Sequence, residues 1–262
     1  MEHFAEEING LLDFLKSHDV TSFHLTNYVF FLAIGTVLLL AILLAARNQV
    51  KLYPTGRFYN LIELLVEFVR NDLAVANIGP DGAKYFPFLG TIFFFIVLNN
   101  LIGVIPGMKP GTGTMGVTVA LALFSFVYFN YAGMQKRGVG GYIKGIVPHG
   151  VPGVLWPVIW VIEVISMLVR PFTLSIRLFA NMYAGHIVLG IFSILTSIGV
   201  EQVIQGIQGG GIGNIAIGGI ATLAWMLLLT ALYLLEIGVA ILQAYIFTLL
   251  STVYISLAVA EH

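Results

Sequence analysis

Two arginines and a histidine stand in RPFTLSIRLFANMYAGH, residues 170–186, inside an apolar tract long enough to cross a membrane more than once. A charge at the centre of a spanning helix costs roughly 2.5 to 3.5 kcal/mol, so each such side chain needs a reason to be there. That tract carries Glu163, Arg170, Arg177, Asn181 and His186, and the next one carries Glu236 and Gln243. At 100° per residue, Glu163, Arg170, Arg177 and Asn181 fall within about 40° of one another and form one polar stripe. His186 points about 180° away from Arg177, while Glu236 and Gln243 lie about 20° apart with Tyr254 returning to their face.

Rise per residue adds an order along the helices. Glu163 lies about 21 Å to one side of Arg177 and His186 about 13 Å to the other; on a returning helix Glu236 comes level with His186, and Gln243 sits about 10 Å deeper. An acid and an imidazole at matching depth form a pair whose titration brackets neutral pH. A fixed guanidinium between that pair and a second carboxylate is the layout of an interrupted proton path. Plainer roles stand beside this one. Arg170, nearer the boundary, suits snorkelling to headgroups; Asn181 and Gln243 also suit hydrogen bonding between helices; Glu163 equally suits an interfacial position.

The composition fits that chemistry. Of the 262 residues, 58% are hydrophobic and 10% charged, and the mean hydropathy of +0.95 belongs to a membrane protein. A net charge of −1 gives no reason to expect nucleic acid. Cysteine is absent, which removes disulfides and thiolate metal sites. No motif assembles a nucleophile, base and oxyanion site, and no phosphate-binding glycine loop occurs, so no cofactor, no metal and no catalysis by the chain itself are expected.

The elements that must position these residues read as all-helical. An N-terminal segment, residues 1–27, precedes a span at 28–46; an amphipathic helix at 58–73 carries Asn60, Glu63, Glu67 and Arg70 on one face and suits the membrane surface. Further spans lie at 86–105 and 116–134, followed by a glycine-rich loop at 138–153. Two long tracts, 154–197 and 215–260, are joined by GVEQVIQGIQGGGIGN. As helices they would measure roughly 66 and 69 Å, twice the hydrocarbon thickness, so they must tilt steeply or break, and Pro171 is the obvious place for a break. About five crossings put eight Lys and Arg after spans one and three, against Lys16 and Lys109 elsewhere, which places the N-terminus outside and the C-terminus in the cytoplasm.

RPFTLSIRLFANMYAGH, together with LEIGVAILQAYIFTLLSTVYISLA and more weakly FPFLGTIFFFIVLNNLIGVIP, resembles subunit a of the F-type ATP synthases. The resemblance implies a stationary membrane subunit with two offset half-channels beside a rotating ring of c subunits, whose carboxylates it loads and unloads, and that the two long tracts form a steeply tilted hairpin against that ring. It implies that Arg177 is the essential arginine, with Asn181 and Gln243 the amides flanking it. His186 and Glu236 match positions holding a reciprocal histidine and acid, and Glu163 matches an acidic position of the inner half-channel. The partners implied are the c-ring, peripheral stalk subunit b and the other synthase subunits. The membrane implied is energy-transducing, such as a bacterial plasma membrane. The loop after Pro106 is short and glycine-rich, without the acids some members carry there, and receives no path residue. The alternative reading is a secondary transporter or channel in which Arg177 binds a small anionic solute.

Overall fold

The computed structural model describes residues 8–10, 13, 26–47, 56–145, 155–210 and 212–260. Most of segment 1–27, along with Lys51 and His149, lies outside them. Five helices are long and apolar enough to cross a membrane. They are α1 (Asn27–Arg47), α3 (Phe86–Val104), α4 (Met115–Arg137), α6 (Trp156–Gln205) and α7 (Ile212–Val259), with shorter α2 (Arg57–Glu67) and α5 (Val139–Lys144) between.

Local signals set several boundaries. Proline lies in the first turn of α3 and of α6, where a missing N–H costs nothing. Ile105 leaves α3 in an extended conformation ahead of Pro106, and Gly107 turns the chain at φ +84°. Gly138 ends α4 at φ +72°.

Of the two courses open to the first long tract, a steep tilt or a break at Pro171, the structure shows the unbroken one: α6 runs through Pro171 without interruption. Pro171 is buried; the carbonyl it leaves without an amide donor is that of Met167, four residues back, while the nearby hydroxyl bonds, Thr173 Oγ1 to Arg170 O and Ser175 Oγ to Phe172 O at 2.9 Å, fall on other carbonyls. The glycine-rich loop expected at 138–153 is instead helical over Val139–Lys144. Nor is GVEQVIQGIQGGGIGN a plain loop, because α6 continues to Gln205 and a π-helical turn, Gly206–Gly210, leads almost directly into α7. The amphipathic segment, finally, is a surface helix only in its first half. Beyond Glu67 it widens into a π-helical stretch, Phe68–Val75, whose Val69, Leu73 and Ala74 enter the core. The wider turn swings those residues inward.

That core joins the end of the α2 segment to α3, α4, α6 and α7. Phe88 stacks on Tyr128 with ring centroids 3.7 Å apart, Phe68 meets Tyr245 at 5.9 Å and Phe129 meets Tyr254 at 5.7 Å. Lipid is as apolar as these side chains, so close packing and hydrogen bonds between helices hold the bundle. Ser125 Oγ donates to Ser251 Oγ at 2.8 Å, a bond of a kind worth about 0.6 kcal/mol on average in membranes. Ser256 Oγ donates to Asn77 O at 2.7 Å and pins α7 to the α2 segment.

Candidate functional site

α6 and α7 form an antiparallel hairpin whose backbones touch where side chains vanish. A Cβ on Gly218 would lie 2.9 Å from the Val203 nitrogen, and one on Gly199 would lie 3.1 Å from the Thr222 nitrogen. Farther along the same seam Gly185 faces Glu236, and a Cβ at 185 would overlap the carboxyl group.

Glu236 is buried, and its Oε1 has no hydrogen-bond partner. Asn181 Nδ2 is likewise sealed and unpartnered. Both residues line one groove of about 200 Å³ with Ala184, Gly185 and Val188. A water takes about 30 Å³ of liquid volume, so the groove has room for several, and its orphaned donor and acceptor are the groups that bound water satisfies.

His186 lies one residue beyond Gly185 but makes no hydrogen bond or ion pair with Glu236. Its charge interaction is with Lys109, which comes from the loop between α3 and α4. Lys109 is 3% exposed, with its ammonium 4.9 Å from the Tyr28 ring centroid. Burial pushes its pKa down, and the Asp13 carboxylate opposes that shift.

Gln243 is buried between Ala240 and Ala244 on α7. Asn100 Nδ2 donates to the Ala240 carbonyl at 3.3 Å, and its Oδ1 accepts from Thr112 Oγ1. Asn100 thereby ties α3, the following loop and α7 together just beside Gln243.

The expected polar stripe on α6 divides into separate surroundings. Glu163 and Arg170 line a cavity of about 270 Å³ with Arg137 and Tyr254. Arg170 lies 5.1 Å from the Tyr254 ring centroid, held by cation–π contact. Asn181 turns toward Glu236. Arg177 is exposed, on a face shared with exposed Thr173, Ala180 and Ala184, and no hydrogen bond or ion pair reaches it from the described residues. An arginine on such a face with no partner among the described residues presents its charge to something else.

Sequence reading missed Gly185, Lys109 and Arg137 as parts of these sites. Gly185 had only its place in the motif as a signal. Lys109 is a lone cation between Pro106-Gly107 and Pro110-Gly111, and Arg137 counted only as a charge after a span.

Comparison with known proteins adds a separate line of support. The profile of the family described as "ATP synthase A chain" matches residues 28–256. "ATP synthase subunit a" of Myxococcus xanthus (strain DK1622) is 38% identical over 267 aligned residues, covering 99% of this chain and 79% of that protein. The protein of the same description from Chloroherpeton thalassium (strain ATCC 35110 / GB-78) is 40% identical over 242 residues, 90% of this chain and 67% of its own. The one from Anaeromyxobacter dehalogenans (strain 2CP-C) is 38% identical over 242 residues, 90% of this chain and 58% of its own length. The chain therefore spans little more than half of that last relative.

Proposed function

The chain belongs to the ATP synthase A chain family, the integral membrane, proton-translocating stator subunits of F-type ATP synthases, and from that premise we propose how its residues carry the ion. Protons enter from the outer side by the groove that holds Asn181 and Glu236, with His186 taking part at the same level. Water in that groove links Asn181 Nδ2 to Glu236 Oε1 and hands the proton to a carboxylate on a c subunit.

Neutral, that carboxylate can travel through lipid, where the ionised form is too costly. After nearly a full turn it releases the proton near Glu163 on the cytoplasmic side. Arg177 stands between loading and release. Its permanent charge favours the ionised form of each arriving carboxylate and repels protons that would pass straight across. Gln243, fixed on α7 beside the Asn100 anchor, flanks it.

The observation that supports this reading is Arg177, exposed and without a partner among the described residues, on a face otherwise made of small and apolar residues. That face is where the c-ring docks, and the assembly is completed by subunit b and the remaining synthase subunits. The membrane is a bacterial plasma membrane, with the N-terminus outside and the C-terminus in the cytoplasm. The solute-transporter alternative has no observation of its own to set against a family match over residues 28–256.

Each proton crossing 100 mV delivers about 2.3 kcal/mol, so any bypass of the rotor dissipates the drive. The test is Arg177→Ala in the complete synthase reconstituted into vesicles. Assembly is expected to persist while proton-driven ATP synthesis disappears. Synthesis retained by that variant rejects the role.

A further inference from the structure

The cavity at the end of α4 carries a charge imbalance around Glu163, the residue placed on the release side of the proton path. Arg137, Arg170 and Glu163 line it together, two guanidiniums against one carboxylate. The Nε and Nη2 atoms of Arg137 are sealed from solvent and have no hydrogen-bond partner. They form one edge of the guanidinium plane, and their N–H bonds run parallel. That edge grips two oxygens of a single oxyanion side by side. Nη1, at the other edge of the same plane, lies toward Gly145, where a Cβ would come within 2.9 Å of it. The side chain is therefore oriented with its fork turned away from Gly145.

The neighbouring groups do not meet this fork. Glu163 makes no ion pair with either arginine. The Tyr142 hydroxyl donates to Asn130 Oδ1 at 2.9 Å, and Arg170 rests on Tyr254. Leaving charged donors buried and unmet is costly, so a site built this way is completed by an anion. One positive charge in excess matches one singly charged phosphodiester. The position fits as well: Arg137 closes a helix that crosses the hydrocarbon, at the level where lipid phosphates lie, and exposed Val139, Ile143 and Leu257 continue an apolar surface beside it.

We propose that this cavity binds a phosphate oxyanion, seated on the Nε–Nη2 edge of Arg137 and balanced by Arg170. An anionic lipid headgroup and free phosphate share that chemistry, and the experiment separates them. The cavity shares Glu163 with the proposed release side, but binding is read at Arg137 without any proton flux, so it stands or falls apart from the Arg177 test.

The test is phenylglyoxal labelling of Arg137, read by peptide mass spectrometry on the intact, delipidated synthase in neutral detergent. Phosphatidylglycerol in mixed micelles is expected to slow labelling at least tenfold, and Arg170→Gln to relax that protection severalfold. Protection by phosphatidylglycerol but not by millimolar inorganic phosphate assigns a lipid; protection by inorganic phosphate assigns the free ion. No protection by either overturns the proposal. So does equal protection by diacylglycerol, which has the acyl chains but no phosphate. Both deciding measurements use the unsubstituted protein and do not depend on a variant's folding.

Discussion

The carboxyl group of Glu236 rests against the α-carbon of Gly185 across the α6–α7 seam, in a space that any side chain at 185 would fill. The acid's position is therefore set by what its neighbour lacks. Gly185→Ala forces Glu236 out of the groove at a packing cost of about 1–3 kcal/mol. The complex is expected to assemble with a lowered thermal midpoint, and passive proton conductance of vesicles stripped of the catalytic head should fall severalfold. Adding Glu236→Asp shortens the acid and should recover part of that conductance. Normal conductance in Gly185→Ala alone would show that the groove position is dispensable.

Arg177→Lys isolates permanence of charge from charge itself. A lysine can surrender its proton in an apolar setting, whereas arginine cannot. The lysine variant is expected to couple best at the acidic end of the working range and to leak increasingly as pH rises. A leak that stays flat with pH, measured by dye quenching in reconstituted vesicles, would contradict this.

Asn100 holds the Ala240 carbonyl and accepts from Thr112, all in a fully buried setting. Asn100→Ala leaves the Thr112 hydroxyl without its acceptor and the Ala240 carbonyl with only its helical bond, and should cost about 1–3 kcal/mol, a larger loss than Thr112→Val at about 0.5–1.5 kcal/mol. Thermal unfolding of the purified assembly checks the order. Equal midpoints for the two variants would remove Asn100 as the anchor of α7.

Lys109 supplies a pH signature outside the spanning segments. Burial holds its folded-state pKa below the ordinary 10.5. Between that lowered value and 10.5 the unfolded chain binds more protons than the folded one, so stability contributed at this site rises with pH across the window. Below the window the full cost of burying the ammonium is present. The thermal midpoint of wild type minus that of Lys109→Met should therefore climb from pH 8 to pH 10.5. A flat difference would mean that the ammonium is adequately solvated or paired where it sits.

The apolar tracts made five membrane-crossing helices legible, because a span needs little more than length and hydropathy. What they left open depended on neighbours. Pro171 does not break α6, because it removes a single helical hydrogen bond and is buried against the packed bundle. The joining glycines allow a close hairpin turn, a role that composition alone cannot distinguish from that of a loop. The residue types of the candidate site stood out as charges in apolar sequence, yet periodicity gave only their direction on one helix. Arg170 and Arg177 differ by about 20° in that pattern, but one rests on Tyr254 and the other has no partner among the described residues. Gly185 and Lys109 gain their importance from what lies opposite them, which one helix's pattern does not contain.

The unbroken course of α6 has a geometric corollary. Fifty residues of helix measure roughly 75 Å, so a rod of that length kept within a layer about 30 Å thick lies closer to the plane of the membrane than to its normal. Most of the roughly 21 Å from Glu163 to Arg177 is then sideways travel and little of it is depth. In the proposed mechanism, position along the chain becomes position along the rim of a passing rotor, and loading and unloading stations are set apart the way stops are along a track.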